Sequence, residues 1–233
     1  MSKVLITGTS SGLGAALANV FKNNDDEVYS ISRRKVGLFT EHVDCDLADP
    51  YDIEYAIGDI TYGVDCFDYV FLNAGILGTL DLSINIPTHE YQKIFNIHVW
   101  ANKTIVDFLI RHDQAENVIA ISSGAANHTY YGWSPYCTSK AALKQLMSCY
   151  ADEHKHMTFK SFSPGPIDTR MQTLIADHDE KDIPSVSKFK DLNLQSAHTC
   201  AQKIFDNLDA ILKYEDHFLD FKLLFCKGLD YTS

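Results

Sequence analysis

The stretch Lys3-Val4-Leu5-Ile6-Thr7-Gly8-Thr9-Ser10-Ser11-Gly12-Leu13-Gly14 decides the fold. Lys3–Thr7 is a short apolar run without clean alternation, the pattern of a strand buried on both faces. Glycines break that run. Gly12–Asn23 then continues with Leu13, Ala16, Leu17, Val20 and Phe21 on one helical face. A strand, a glycine turn and an amphipathic helix in direct succession open an α/β architecture.

The rest of the chain repeats that alternation. Further strands are expected at Glu27–Ser32, 41–45, 69–73, 117–122, Thr158–Ser163 and, late, 217–221. Between them Asp49-Pro50 caps and opens a helix to about Gly58. Thr88 is placed to cap a long helix to about His112, and Pro135 sits in the first turn of a helix over 134–154. Another helix is expected over 196–212. Short buried strands alternating with helices predict a parallel sheet with crossover helices. Residues 177–193 are polar, contain Pro184, and read as a mobile excursion from one domain.

Composition bounds the rest. The chain has 233 residues, 45% hydrophobic and 22% charged, which fits one globular α/β domain and excludes wholesale disorder. Asp+Glu outnumber Lys+Arg 31 to 20, a net charge of -11, so nucleic acid and anionic membrane are not expected partners. No apolar run reaches the ~20 residues of a membrane span, and the first residues lack a secretory signal pattern. Six scattered cysteines, none in a CxxC pair, suit free thiols and a cytoplasmic location. His154-Lys155-His156 comes without a ligand set, so no metal is expected. His98 reads as a satisfied core or interface histidine.

Within so acidic a chain, Arg33-Arg34-Lys35 stands out. Gly8, Gly12 and Gly14 let the backbone of Ser10, Ser11 and Leu13 approach a pyrophosphate, and the helix N-terminus offers N–H groups and a positive dipole end. The spacing is G-x-x-x-G-x-G, and a plain strand-to-helix turn is the competing reading. After the second strand, where an acidic residue would favour NAD, stand Ser32-Arg33-Arg34. A guanidinium fork suits a 2′-phosphate, so NADP(H) is the expected cofactor. Farther on, Ser123 follows a strand end, and thirteen residues later Tyr136 and Lys140 stand four apart on one helix face. An ammonium beside a phenol lowers its pKa and makes it a usable proton donor.

Together Thr7–Gly14, Asn73-Ala74-Gly75, Asn96, Ser123, Tyr136…Lys140 and Pro164-Gly165-Pro166-Ile167-Asp168-Thr169 resemble the short-chain dehydrogenase/reductase family over nearly the whole chain. The resemblance implies a single, three-layer αβα domain over 1–233. Its centre would be a Rossmann-type, doubly wound, seven-stranded parallel sheet, with a substrate lid at about 170–195. It also implies hydride transfer to or from a nicotinamide. On it, Tyr136 protonates the substrate carbonyl oxygen and Ser123, with Ser122 as rival, orients that oxygen. Lys140 lowers the Tyr136 pKa and holds the nicotinamide ribose. Asn96 marks a kink in the long helix and positions a relay water. Asp46 touches the adenine, Asn73, Ala74 and Gly75 pack on the adenosine side, and Pro164, Ile167 and Thr169 line the nicotinamide pocket. A homodimer or homotetramer paired through two long helices is implied as well.

Three segments are similar to the sepiapterin reductase and benzil reductase branch: 132–137 around Tyr136, 164–172, and Phe218-Leu219-Asp220-Phe221. In that comparison Asp220 becomes a candidate substrate anchor, alongside Trp133, Gly165 and Met171. Departures are Ser11 where many NADP-preferring members are basic, Phe221-Lys222 where a glycine pair is usual, and an unusual tail over 223–233. The expected activity is NADPH-dependent reduction of a small ketone or vicinal dicarbonyl. The alternatives are a non-catalytic NADP(H)-binding regulator and a hydroxysteroid- or polyol-type dehydrogenase.

Overall fold

The computed structural model describes residues 1–190 and 192–221. The expected tail over 223–233 lies outside them. The chain runs β1 (Lys3–Thr7), α1 (Gly12–Asn23), β2 (Glu27–Ser32), β3 (Glu41–Asp44), α2 (Pro50–Ile60), β4 (Phe67–Leu72), α3 (Thr88–Phe95), α4 (Ala101–Arg111) and β5 (Ala115–Ile121). It continues through α5 (Ser134–Glu153), β6 (Thr158–Ser163), β7 (Ile167–Asp168), α6 (Arg170–Ala176), α7 (Ser187–Lys190), β8 (Gln195–Ser196), α8 (Ala197–Asp206), α9 (Leu208–Lys213) and β9 (Phe218–Asp220).

Seven strands form one sheet in the order β3-β2-β1-β4-β5-β6-β9, all parallel. Successive side chains of β1 enter opposite cores. Leu5 packs with α2, α4 and α5 residues such as Ile57, Ile105, Leu143 and Met147. Val4 and Ile6 pack with Leu17, Phe21, Cys200 and Ile204 of α1 and α8. Burial on both faces explains the absence of polar alternation in the strand sequences. The strand order reverses between β1 and β4, so the crevice beyond their C-terminal ends is where such a sheet takes a ligand.

Several elements differ from expectation. Thr88 is the first helical residue rather than the cap: Pro87, extended at φ -68 and ψ 152, precedes it, and no side chain caps the helix. The long helix is not continuous, because a π-helical turn over Asn96–Trp100 separates α3 from α4, with the Ala101 N–H donating to the Asn96 carbonyl. The helix expected over 196–212 is broken at Asn207, whose side-chain amide donates to the Lys203 carbonyl and ends α8. The excursion over 177–193 is anchored rather than loose at its centre. Ile183 and Val186 are buried with Trp133 and Tyr136 in a third apolar cluster, and β7 pairs with β8 in a small second sheet.

Candidate active site

Three strand ends build the site. At β1, Gly8 takes φ +74, and a Cβ there would lie 2.8 Å from the Ala74 Cα. At Gly14 a Cβ would lie 2.4 Å from both the Asn73 Nδ2 and the Gly8 carbonyl oxygen. These two positions admit no side chain, and the loop after β1 closes directly onto the loop after β4. Thr7 locks the pair: its hydroxyl accepts from the backbone N–H of Asn73 (3.0 Å) and of Ala74 (3.1 Å). The Asn73 amide in turn donates to the Thr7 carbonyl at 3.0 Å. The sequence places Thr7 at the head of the Thr7–Gly14 motif but assigns its side chain no role. Its position at the strand terminus, just before the first glycine, was the available signal.

The residues expected to hold a dinucleotide gather on this crevice. Ser11 precedes α1 and its side chain makes no capping bond, so no side chain competes for the first-turn N–H groups at Gly12, Leu13 and Gly14. Thr169 packs against the Gly12 position, where a Cβ would meet its Cγ2 at 3.5 Å. That contact brings the 164–169 segment to the glycine loop, and the Gln195 amide ties the Pro164 carbonyl from β8 at 3.3 Å. Arg33, Arg34 and Lys35 are exposed at the end of β2. Asp46 is exposed beyond β3, where its carboxylate accepts the Ala48 N–H at 3.0 Å. A cradle without side chains and an open helix N-terminus together fit the pyrophosphate of a nicotinamide dinucleotide.

The chemistry-bearing side chains meet beyond β5. Ser123 caps a short 3-10 turn, its hydroxyl accepting the Ala125 N–H (3.2 Å), and that hydroxyl stands near enough to the Tyr136 phenol to favour its ionised form. Ser122, the rival, is buried, and its hydroxyl has no hydrogen-bond partner among the described residues. On α5, Tyr136 and Lys140 are both buried, and the ammonium lies 5.8 Å from the phenol ring centroid. The Lys140 Nζ donates to the Ile121 carbonyl at 2.8 Å. Burial pushes the Tyr136 phenol up to about 12, against the Ser123 hydrogen bond, and pushes Lys140 down to about 8. Burial, not Lys140, is the leading influence on the phenol. Desolvation disfavours the charged form of both groups, raising the phenol and lowering the ammonium.

Asn96 begins the π-turn, as a kink at that position required, and its amide donates to the Ala48 carbonyl at 3.2 Å. Its side chain thus tethers the loop after β3. Next in the turn, His98 is fully buried and bonded on both ring nitrogens.

The substrate side is aromatic. Trp133 is 3% exposed, with its ring stacked on Phe189 at 5.1 Å between centroids and edge-on to Tyr136 at 6.0 Å. Tyr130 completes the group, 5.3 Å from both Trp133 and Phe189. The Trp133 indole N–H has no acceptor among the described residues. Ser185 donates to the Tyr131 carbonyl (2.7 Å) and the Gln172 amide to the Phe189 carbonyl (2.5 Å), which holds the 183–190 segment over Tyr136. Met171 packs on the same cluster. Asp220 accepts the Ser163 hydroxyl at 3.4 Å; burial, with smaller effects from Cys137 and the Asp220 charge, raises the Tyr130 phenol. Gly165 stands at φ +75 with open space where a Cβ would go.

Residues 2–181 match the family model described as short chain dehydrogenase, and the chain belongs to that family. It is an oxidoreductase of carbonyl and hydroxyl groups that uses a nicotinamide cofactor. Among known proteins it is similar to a benzil reductase, (S)-benzoin forming, of Bacillus subtilis, 29% identical over 209 residues that cover 83% of this chain and 86% of that one. It is similar also to a sepiapterin reductase of Xenopus laevis, 32% identical over 162 residues, 64% of this chain and 60% of that one. Among solved structures, a short chain dehydrogenase/reductase from Saccharomyces cerevisiae shares the fold with a TM-score of 0.82 at 22% identity, covering 94% of this chain and 96% of the other.

Proposed function

We propose that this chain is an NADPH-dependent carbonyl reductase acting on a small vicinal dicarbonyl of the benzil or sepiapterin kind. The observation that carries the reading is the meeting of Ser123, Tyr136 and Lys140 at the end of β5, beside a cradle closed to side chains. Arg33 and Arg34, exposed where the adenosine ribose would end, supply the positive charge for a 2′-phosphate. Similarity to benzil and sepiapterin reductases supports the substrate class.

When bound, the nicotinamide supplies the hydride. The chain does the rest. The helix N-terminus at Gly12–Gly14 and the loop Asn73–Gly75 hold the dinucleotide, and Pro164, Ile167 and Thr169 close its nicotinamide end. Tyr136, kept protonated by burial, donates its phenolic proton to the substrate carbonyl oxygen. Ser123 donates to the same oxygen and orients it. Lys140 carries its charge up to about pH 8 and stabilises the phenolate left behind. A vicinal dicarbonyl offers a second oxygen, and the unpartnered Trp133 indole N–H is a donor available to it. Tyr130, Trp133 and Phe189 give this side an aromatic wall on which a flat ring can pack. On this reading the five described cysteines, all free, belong in a reducing cytoplasm. The assembly is a homodimer or homotetramer that covers the half-exposed Trp100 beside α4.

The test is NADPH oxidation against benzil, sepiapterin, 2,3-butanedione, a steroid ketone and an acetoacetyl thioester. Turnover on the dicarbonyls is expected, with loss of roughly a thousandfold or more in Tyr136→Phe at unchanged NADPH affinity. Turnover on the thioester alone, or full activity in Tyr136→Phe, would sink the reading.

A further inference from the structure

His98 is 0% exposed and lies in the π-helical turn between α3 and α4. Its Nε2 accepts the backbone N–H of Ile76 at 3.0 Å. That bond fixes the tautomer, so the proton sits on Nδ1 and is donated to the Ser139 hydroxyl at 2.9 Å. The Ser139 hydroxyl in turn donates a hydrogen bond to the Tyr136 carbonyl at 2.9 Å. The chain of donors runs in one direction, from the loop after β4 to the backbone of the helix that carries Tyr136 and Lys140.

The contacts around the ring are equally specific. A Cβ at Gly75 would lie 3.1 Å from His98 Nε2 and 3.7 Å from Lys140 Nζ, so that glycine is wedged between imidazole and ammonium. The His98 ring meets the Tyr136 ring edge-on at 5.6 Å. Burial and the Lys140 charge hold the imidazole neutral, well below its usual range. Neutrality is what the bridge needs, because a second ring proton would face the Ile76 N–H. The Asn102 amide closes the turn on the His98 carbonyl at 2.8 Å.

We infer that His98 is a positioning residue: it ties the Gly75-Ile76 end of the nucleotide loop to α5 through Ser139, and thereby sets the separation between the cofactor floor and the proton donor. The inference rests on the reductase reading above. A hydrophobic residue of similar size could fill the space but could not make both bonds. A glutamine amide can accept from Ile76 and donate to Ser139.

The experiment compares wild type, His98→Leu, His98→Gln and Tyr136→Phe for NADPH dissociation constant, kcat and KM, and follows Ile76 amide hydrogen exchange in the cofactor-free chain. In His98→Leu the Ile76 amide should exchange faster, NADPH should bind about tenfold more weakly, and kcat should fall about tenfold, the size of losing one buried hydrogen bond. The substrate KM should stay near the wild-type value. His98→Gln should recover most of each loss. A folded His98→Leu with wild-type NADPH affinity and kcat overturns the inference, as does a glutamine variant no better than leucine. Wild type that did not bind NADPH would defeat the reductase reading itself. Tight wild-type binding with an unmoved leucine variant would defeat only the role of His98.

Discussion

The two walls of the crevice are held by different forces. On the nucleotide side the contacts are polar, short and backbone-directed: Thr7 on Asn73 and Ala74, Asn73 back on Thr7, and Gly8 and Gly14 with no room for a Cβ. On the substrate side the holding contacts are ring on ring, among Tyr130, Trp133 and Phe189, with two side-chain bonds from Ser185 and Gln172 to backbone carbonyls. Directional bonds and steric exclusion specify one geometry. Apolar packing tolerates exchange of one side chain for another of similar volume. The first wall is therefore built for one ligand, and the second can be retuned for many.

Gly14→Ala should break the contrast most severely. Its new methyl would meet Asn73 and the Gly8 carbonyl at once, both of them fixed. Dinucleotide binding should be lost, with destabilisation of about 1–3 kcal/mol from overpacking, read by NADPH titration and thermal melting. Retained affinity would show that the nucleotide wall is as pliable as the other. A charge reversal there is milder. Arg33→Glu should weaken NADPH by about tenfold or more while sparing NADH, as loss of a charge-assisted phosphate contact predicts. An unchanged ratio of the two affinities would remove Arg33 from the phosphate site. The smallest effect is expected across the crevice. Phe189→Ala should leave NADPH affinity alone and change KM by a few-fold in opposite directions for benzil and 2,3-butanedione. It opens room for bulky rings and withdraws a stacking surface worth about 0.5–1.5 kcal/mol. A matching loss of cofactor affinity would show the two walls to be mechanically one.

The same contrast governs what could be read from residues alone. The β1 turn was legible because glycines report backbone conformation directly, and Gly12–Asn23 carries its buried face in its own periodicity. Tyr136 and Lys140 were legible because one helical turn relates them. His98 was not, since its partners lie 22 and 41 residues away in sequence and nothing local distinguishes a bridging imidazole from a core one. Phe189 was equally silent. It meets Trp133 because the 183–190 segment folds back over α5; the resemblance places a lid at about 170–195, but nothing in the polar stretch around Pro184 singles out Phe189. The upward position of the Tyr136 phenol is a property of burial, which spacing does not contain.

The π-turn over Asn96–Trp100 has a consequence for how this helix can change over generations. A turn closed by i→i+5 bonding holds one residue more than an α-helical turn, and each residue advances the helix by about 100°. The surplus residue lets α3 and α4 keep independent phases: Ile94 stays buried on one side of it, and Ile105, Val106 and Leu109 on the other. The segment acts as a slack link, so a single-residue deletion there would straighten the helix while each half kept its own core contacts. The same deletion inside α4 would rotate every downstream core residue toward water. What a straightened helix would forfeit is the local offset that seats Asn96 against Ala48 and His98 against Ile76.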